Sequence, residues 1–242
     1  MRFFLACALM LTLSVAHAQQ SPAPSDDMSR LLAERGLLSR IGDVGNKVGT
    51  RATELVMNSM AFLGVPYKRG GTEADNTAIR CSIETFGITH AITSPIEHHA
   101  VLHCVEHVDG VVVRVNNVGS VDLDDLARVL QEATPDKPIT VVSVMAVNNE
   151  VGTITPMRDV ARIVRKHAPN ALLHTDAVQA ACWIDLREIT PLVDALSLSA
   201  HKFGGPKGVG IMVLKAGKQL EPMIFGGGQE RDRRSGTHNV AG

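Results

Sequence analysis

Aromatic residues are scarce in this sequence, which has one Trp, one Tyr and six Phe among 242 residues. Proteins that hold single-stranded nucleic acid stack its bases on aromatic side chains, so a chain with 3% aromatic residues is a poor candidate for that role. Charge of either sign is not in excess, because 24 Lys and Arg balance 25 Asp and Glu to a net charge of −1. Without a basic cluster, we expect neither nucleic acid nor an anionic membrane surface as a partner.

Cysteine is also sparse, and its spacing does not indicate a metal site. The four cysteines are Cys7, Cys81, Cys104 and Cys182. They form no C-x-x-C pair and no Cys/His spacing typical of zinc ligands, so we predict no metal. Scattered cysteines are also a poor disulfide framework for an exported protein.

The first 18 residues have the pattern of a secretory signal peptide. Arg2 precedes an apolar run over residues 3–15, and Ala16-His17-Ala18 has the form of a cleavage site. The alternative is a buried helix. The run is too short to span a membrane and no later stretch is longer, so no membrane span is expected after cleavage. Residues 19–27 are a polar linker rich in Pro and Ser.

Helix and strand patterns alternate from residue 70 onward, which predicts an α/β fold with a mainly parallel sheet covered by helices. Before that point, residues 50–64 predict an amphipathic helix ended by Gly64 and Pro66. The later predicted helices are 72–86 with Gly87 as the stop, 98–108, 122–133 with Asp122 as the N-cap, and one opened by Pro156 as its first residue. The predicted strands are 90–94, 111–117, 139–147, 171–176, 194–199 and 208–214.

Polar residues follow several of these strands, where a parallel sheet binds its ligands. They match the needs of pyridoxal phosphate: a lysine for a covalent bond, a carboxylate at the pyridine nitrogen and a cradle for the phosphate. A helix N-terminus offers free N–H groups to such a phosphate. The candidates after strands are Asp176 and Gln179, then Ser199, His201 and Lys202, while Gly70, Gly71 and Thr72 open a helix.

Six motifs over residues 70–242, in the same order, resemble the cysteine desulfurases, which are pyridoxal-phosphate-dependent members of the class V aminotransferase family. They are GGTEADN, SPIEHHAVL, NNEVGTI, HTDAVQ, SLSAHKFGGPKGVG and GGGQERDRRSGT. The resemblance implies the large domain of the aminotransferase fold (pyridoxal-phosphate fold type I), a mixed, mostly parallel sheet with helices on both faces. It also implies L-cysteine as substrate, L-alanine and a protein persulfide as products, sulfur-acceptor or scaffold proteins as partners, and a homodimer.

The resemblance further implies roles for individual residues. Lys202 would bond the cofactor covalently and His98 would stack on its ring. Asp176 would pair with the pyridine nitrogen and Gln179 with the phenolic oxygen, and Asn149 would orient the cofactor or the substrate. The phosphate would be held by Gly71, Thr72, Ser199 and His201, and Thr237 would reach the phosphate of the partner subunit. Taken singly, Asp176 could be a helix cap, Lys202 an ordinary loop lysine and His98 a surface histidine.

Residues 1–72 resemble a different family, the NlpC-type exported cell-wall peptidases, through the signal peptide and the stretch ATELVMNSMAFLGVPYKRGGT. That family continues to an Asp-Cys-Ser-Gly motif with the nucleophilic cysteine at a helix start. Here Arg80 and Ile83 stand around Cys81 and Ser82 instead, and Cys81 lies late in a helix, so we expect it to be a buried helix cysteine. The chain thus looks chimeric, with a junction at Gly70–Thr72 that is either a gene fusion or an artefact.

The predicted organisation is a signal peptide at 1–18, an appendage at 19–69 and a partial, truncated large domain at 70–242. A desulfurase carries its sulfur-accepting cysteine and a carboxylate-binding arginine beyond the part matched here, so we expect a cysteine desulfurase that is incomplete in this chain. The alternatives are a remnant of the exported peptidase and a non-catalytic fusion fragment. The predicted locations conflict, because the signal peptide implies export and the desulfurase part implies the cytoplasm.

Overall fold

The computed structural model describes residues 62–67, 70–87, 90–108, 110–133 and 138–237. The predicted signal peptide, the linker at 19–27 and residues 50–61 of the predicted helix lie outside these residues. Among the described residues, no helix has both the length and the apolar character needed to cross a membrane.

The described strands form one mixed sheet in the order β1-β7-β6-β5-β4-β2-β3. Among these strands, β7 runs antiparallel to both of its neighbours, β1 and β6, and the other adjacent pairs are parallel. The prediction of a mixed, mainly parallel sheet is therefore confirmed. The strands are β1 (Phe62–Tyr67), β2 (His90–Thr93), β3 (Val111–Val112), β4 (Ile139–Ser143), β5 (Leu172–Asp176), β6 (Ala195–Ser199) and β7 (Gly210–Lys215).

Helices cover both faces of the sheet, as predicted. Because successive side chains of a strand point to opposite faces, alternate residues of the central strands enter two separate cores. The helices are α1 (Gly71–Asn76), α2 (Ser82–Phe86), α3 (His99–Glu106), α4 (Leu123–Gln131) and α5 (Met157–His167). One core joins Val142, Leu173 and Leu196 to residues of α4 and α5, and the other joins Val141, Leu172 and Ala195 to residues of α1 and α3.

The helix predicted at 72–86 is present, but it contains a π-helical turn that the sequence pattern did not predict. This turn, Thr77–Cys81, joins α1 to α2 without a break. Gly87 ends the helix in the left-handed conformation at φ 70°, which confirms the predicted stop. Asp122 likewise caps α4 as predicted, since its Oδ1 accepts hydrogen bonds from Asp124 N and Asp125 N at 3.0 and 3.1 Å.

Several local predictions are corrected by the structure, among them the strand predicted at 139–147, which ends at Ser143. Residues 62–64, predicted as the end of a helix, belong to β1, which pairs with β7 over six residues. This tertiary pairing outweighs the local helical pattern, and the edge position of β1 tolerates Pro66. The strand predicted at 111–117 ends at Val112, because the chain folds back in a turn closed by a bridge between Val115 and Val121. Pro156 caps α5 rather than opening it.

Candidate active site

The predicted site residues gather at one edge of the sheet. Asp176 and Ser199 are the last residues of β5 and β6, and Lys202 lies in the short 3₁₀ turn Ala200–Phe203 that follows β6. His98 precedes α3, just after β2. Because parallel strands end at the same edge, residues far apart in sequence come together here.

The start of α1 packs closely against the ends of β5 and β6. A Cβ atom added to Gly71 would lie 2.9 Å from Val178 Cγ2 and 3.5 Å from Ser199 Cβ. Gly70 has φ +76°, which side chains of L-residues rarely adopt, and a Cβ there would lie 3.3 Å from Ser199 Oγ. The two glycines therefore let the free N–H groups of the helix start approach the strand ends. Thr72 is exposed beside them.

Ser199 and His201 are joined by a hydrogen bond. Ser199 Oγ lies 2.9 Å from His201 Nδ1, which holds the exposed imidazole against the buried serine. The structure thus brings together four residues predicted for the phosphate, namely Gly71, Thr72, Ser199 and His201.

Asp176 is a buried carboxyl group with an unusual acidity. Burial raises its pKa to about 6, while the hydrogen bond from Val178 N and the charge of Lys202 act in the opposite direction. Val178 N donates to Oδ1 at 2.8 Å, so one carboxylate oxygen does cap the following turn. The cap interpretation accounts for this oxygen and not for the burial of the whole group next to a lysine.

Lys202 exerts its charge on three groups of the site. Its charge acts to lower the pKa of His98, Asp176 and Cys182, although burial leaves the pKa of Asp176 and of Cys182 raised overall. Cys182 Sγ also donates a hydrogen bond to the Lys202 carbonyl oxygen at 2.8 Å. The ammonium is exposed, so it can be reached from solvent. A ligand with a carbonyl group and a basic nitrogen would suit this pair of residues. The lysine amine can form a Schiff base with the carbonyl, and the carboxylate can pair with the protonated nitrogen.

His98 is held at the start of α3 in a defined tautomer. Its Nδ1 accepts a hydrogen bond from Ala100 N at 3.1 Å. Partial burial first, then the charges of His99 and Lys202, lower the pKa of His98, so the ring is neutral near pH 7. Since Nδ1 is an acceptor, the single proton resides on Nε2.

The remaining predicted site residues lie near the same edge with fewer contacts. Asn149 is exposed in the turn after β4, and Gln179 is half-buried three residues after Asp176. Thr237 is exposed at the end of a segment that Arg234 ties to α1, through a 2.8 Å bond from Arg234 Nε to Glu73 Oε1. Their roles toward the cofactor or a partner subunit stay predictions.

A buried polar layer beneath the site was missed by the sequence analysis. His174 Nδ1 lies 2.8 Å from Ser143 Oγ, and its Nε2 lies 2.9 Å from Ser197 Oγ. Asp75 Oδ1 is 3.8 Å from His174 Nε2, yet burial lowers the pKa of His174 to about 3, so the two form no charged pair. Burial and the neighbouring Asp176 raise the pKa of Asp75 well above its usual value.

Glu97 is the third buried carboxyl group of this region. Burial raises its pKa to about 8, against the hydrogen bonds that it accepts from Met145 N and Ser94 Oγ. Asp75 and Glu97 stand inside the motifs GGTEADN and SPIEHHAVL, but carboxylates are usually exposed, and only the fold reveals their burial.

The three described cysteines differ in exposure. Cys81 lies in the π-helical turn, only 1% exposed, and burial raises its pKa to about 12, which confirms that it is a buried helix cysteine. Cys104 is also buried and Cys182 is half-buried, and burial raises the pKa of both. Among the described residues, no group of three or more Cys, His, Asp or Glu side chains is arranged to hold a metal ion.

Comparison with known proteins agrees with the family resemblance of the sequence motifs. A family model described as "Aminotransferase class-V" matches residues 49–242. The cysteine desulfurase IscS of Dictyoglomus turgidum is 38% identical over 207 residues, which cover 82% of this chain and 48% of that protein. The chain spans about half the length of the curated relatives that it matches.

Solved structures share the fold. A NifS-like protein superposes with a TM-score of 0.70 at 38% identity, covering 86% of this chain and 56% of the other. SspA, solved in complex with cysteine, superposes with a TM-score of 0.63 at 28% identity, covering 82% of this chain and 58% of the other.

Proposed function

The chain belongs to the class V aminotransferase family, and from that premise we propose that it binds pyridoxal phosphate at the sheet edge and acts as part of a cysteine desulfurase. Class V aminotransferases and cysteine desulfurases depend on this cofactor, so the predicted cofactor is confirmed at the level of the family.

The residues present fit the cofactor. The close approach of Gly70 and Gly71 to Ser199 leaves backbone N–H groups and a hydroxyl for a phosphate. Asp176 has a pKa of about 6, so it is ionised at neutral pH and suited to hold a proton on a pyridine nitrogen. The single observation that carries the proposal is that Asp176 ends β5 while Lys202 lies in the turn after β6, the strand that pairs in parallel with β5.

Each residue then has a physical task. When bound, pyridoxal phosphate serves as an electron sink for the Cα of an amino acid. Asp176 keeps the sink effective by retaining a proton at the ring nitrogen, and Lys202 provides the amine for the covalent bond. His98 presents a neutral ring with its proton on Nε2, and it can donate or exchange that proton. Gln179 and Asn149 offer amide groups to the cofactor or the substrate.

L-cysteine is the substrate that the relatives support. The matched relatives from Dictyoglomus turgidum and Clostridium botulinum are cysteine desulfurases, and SspA was solved in complex with cysteine. By the same similarity we propose L-alanine and a protein persulfide as products, sulfur-acceptor or scaffold proteins as partners and a homodimer in which Thr237 reaches the partner's phosphate site.

The decisive experiment is to locate the covalent bond. The purified chain is incubated with pyridoxal phosphate, its visible absorption is recorded, and the adduct is fixed with borohydride and located by mass spectrometry. We expect a visible band and a modified Lys202, both lost in Lys202→Ala and both retained in Lys207→Ala, an exposed lysine of the same region. A colourless wild-type protein, or an adduct spread over surface lysines, would refute the proposal.

A further inference from the structure

Two loops at the active-site edge are tied together by a buried carboxyl group. The first loop, residues 94–98, leads from β2 into α3 and ends at His98. The second, residues 144–149, follows β4 and includes Asn149. Glu97 Oε1 accepts a hydrogen bond from Ser94 Oγ at 2.9 Å within its own loop and one from Met145 N at 2.8 Å across to the second loop.

A buried amide ties the same loops in the opposite direction. Asn148 Nδ2, in the second loop, donates to the carbonyl oxygen of Ile96 at 2.6 Å. Its Oδ1 accepts hydrogen bonds from Glu150 N at 2.9 Å and from Val151 N at 2.8 Å, which closes the turn around Asn149. We call Glu97 and Asn148, with these bonds, the loop clamp.

Both residues of the loop clamp are buried, whereas the residue that follows each of them is exposed. Glu97 and Asn148 are each 6% exposed, while their neighbours in sequence, His98 and Asn149, are exposed. Breaking one of these bonds would leave a buried polar group without its partner, which costs more than losing a bond at the surface. The clamp therefore restrains the two loops strongly at the positions next to two predicted site residues.

We propose that Glu97 and Asn148 are positioning residues that fix His98 and Asn149 relative to the cofactor site; the role rests on the proposed function. Glu97 fixes the loop that carries His98 to the segment just after β4, through its hydrogen bond from Met145 N. Asn148 holds the same loop and also shapes the turn that presents Asn149. Neither side chain needs to touch the cofactor for this role.

The chemistry of Glu97 makes the role testable with an isosteric change. Burial is the main cause of the raised pKa of Glu97, and the charge of Asp176 from β5 acts in the same direction. Asp75 from α1 is a further acidic neighbour, whose own pKa is raised by burial. These conditions keep Glu97 in its neutral acid form at pH 7, with its clamp bonds accepted by Oε1. Glutamine has the same shape and an acceptor oxygen in the same place, so it should preserve the clamp, whereas alanine removes it.

The experiment compares Glu97→Ala, Glu97→Gln and Asn148→Asp in the full chain, with Glu106→Ala, an exposed glutamate of α3, as matched control. Pyridoxal phosphate affinity is measured by absorption titration. Two measurements are made without cofactor. NMR follows the chemical shifts of the His98 ring nitrogens, and hydrogen exchange is followed at the backbone amides of Met145 and Ala100. Asn148→Asp keeps the acceptor oxygen for Glu150 N and Val151 N but replaces the donor to Ile96 with a carboxylate oxygen that repels the Ile96 carbonyl, so it tests the second half of the clamp independently of Glu97→Ala.

We expect Glu97→Ala to weaken cofactor binding about tenfold, to expose the Met145 amide to exchange and to shift the His98 nitrogens, with a smaller shift in Asn148→Asp. Glu97→Gln and Glu106→Ala should stay within about twofold of the wild type. Unchanged His98 signals in Glu97→Ala and Asn148→Asp, or a Glu97→Gln that behaves as Glu97→Ala, would overturn the inference. If the wild type binds no pyridoxal phosphate, the proposed function fails, and the NMR comparison still decides whether the clamp positions His98.

Discussion

Arg234 and Glu73 form a buried ion pair that joins the last described segment of the chain to the first helix. Arg234 Nε donates to Glu73 Oε1 at 2.8 Å, and Arg234 also donates from a terminal guanidinium nitrogen to the carbonyl oxygen of Ser235. Both side chains are nearly inaccessible to solvent. The pair anchors the segment that carries Thr237 beside the glycines of α1.

Removing one member of this pair should be strongly destabilising. Arg234→Ala leaves the Glu73 carboxylate buried without its partner, so the free energy of unfolding should fall by about 3–5 kcal/mol, measured by urea denaturation. Arg162→Ala breaks the exposed pair with Asp159 and should have little effect. An equally small effect of Arg234→Ala would show that the segment is not anchored by this pair.

Asp176→Asn should separate cofactor binding from cofactor chemistry. The amide keeps the acceptor oxygen for Val178 N but holds no negative charge at the pyridine nitrogen. We expect the borohydride-fixed bond to Lys202 to persist, while exchange of the α-hydrogen of L-alanine in D₂O, followed by NMR, slows by about a hundredfold or more. Asp159→Asn serves as control. If Asp176→Asn exchanged the α-hydrogen at the wild-type rate, Asp176 would serve only to cap the following turn.

Glu97 should make the protein less stable as pH rises. Its pKa in the folded state is about 8, above the ordinary value of 4.5, so the folded state binds more protons than the unfolded state between these values. Stability from Glu97 is fully present below about pH 4.5 and is lost as pH rises through 8. The wild-type free energy of unfolding, relative to Glu97→Gln, should therefore decrease between pH 5 and pH 8. Asp75, Asp176 and His174 also titrate, but both proteins contain them. A constant difference across this range would contradict the assignment.

The described cysteines should not act as sulfur carriers. Cys81 and Cys104 are buried with raised thiol pKa values, and Cys182 donates to the Lys202 carbonyl. Little thiolate is therefore available for attack on a substrate sulfur. With pyridoxal phosphate, L-cysteine and a reductant, sulfide release should be the same in wild type, Cys104→Ala and Cys182→Ala. Sulfide release that disappears in either variant would identify a sulfur carrier.

The order of thiol reactivity gives an independent check of the same burial. Cys182 should be alkylated first in the native protein, because it is half-buried, and Cys81 last. Mass spectrometry of partially alkylated protein reads this order directly. Rapid labelling of Cys81 would show that α1 and α2 open readily at the π-helical turn.

The sheet, its helices and the strand-end residues were predictable because each rests on a local signal. Gly87 marks the end of a helix because glycine adopts the left-handed conformation readily, and Asp122 marks the start of one because its side chain accepts hydrogen bonds from free N–H groups. Asp176 and Lys202 stand at or just after apolar runs that predict buried strands. Burial of polar side chains has no such signal. Glu97 and His174 look like surface residues until the fold places other elements over them.

A contact distant in sequence explains why the helix predicted at 62–64 was wrong. The helical pattern at 62–64 is genuine in isolation, but β7 offers a partner from another part of the chain, and strand pairing is decided by that partner. The junction predicted at Gly70–Thr72 stays a prediction. The family match begins at residue 49, on the N-terminal side of that point.

The pairing of β1 with β7 also has a consequence for folding. These strands enclose residues 68–209, so their ladder closes a very long loop, and contacts of this kind form slowly compared with local helices. During synthesis, β1 leaves the ribosome long before its partner exists. Until β1 docks, one edge of β7 is a free strand edge that another unfolded chain can occupy. Refolding should therefore show a late phase at this edge, and aggregation should compete with it at high protein concentration.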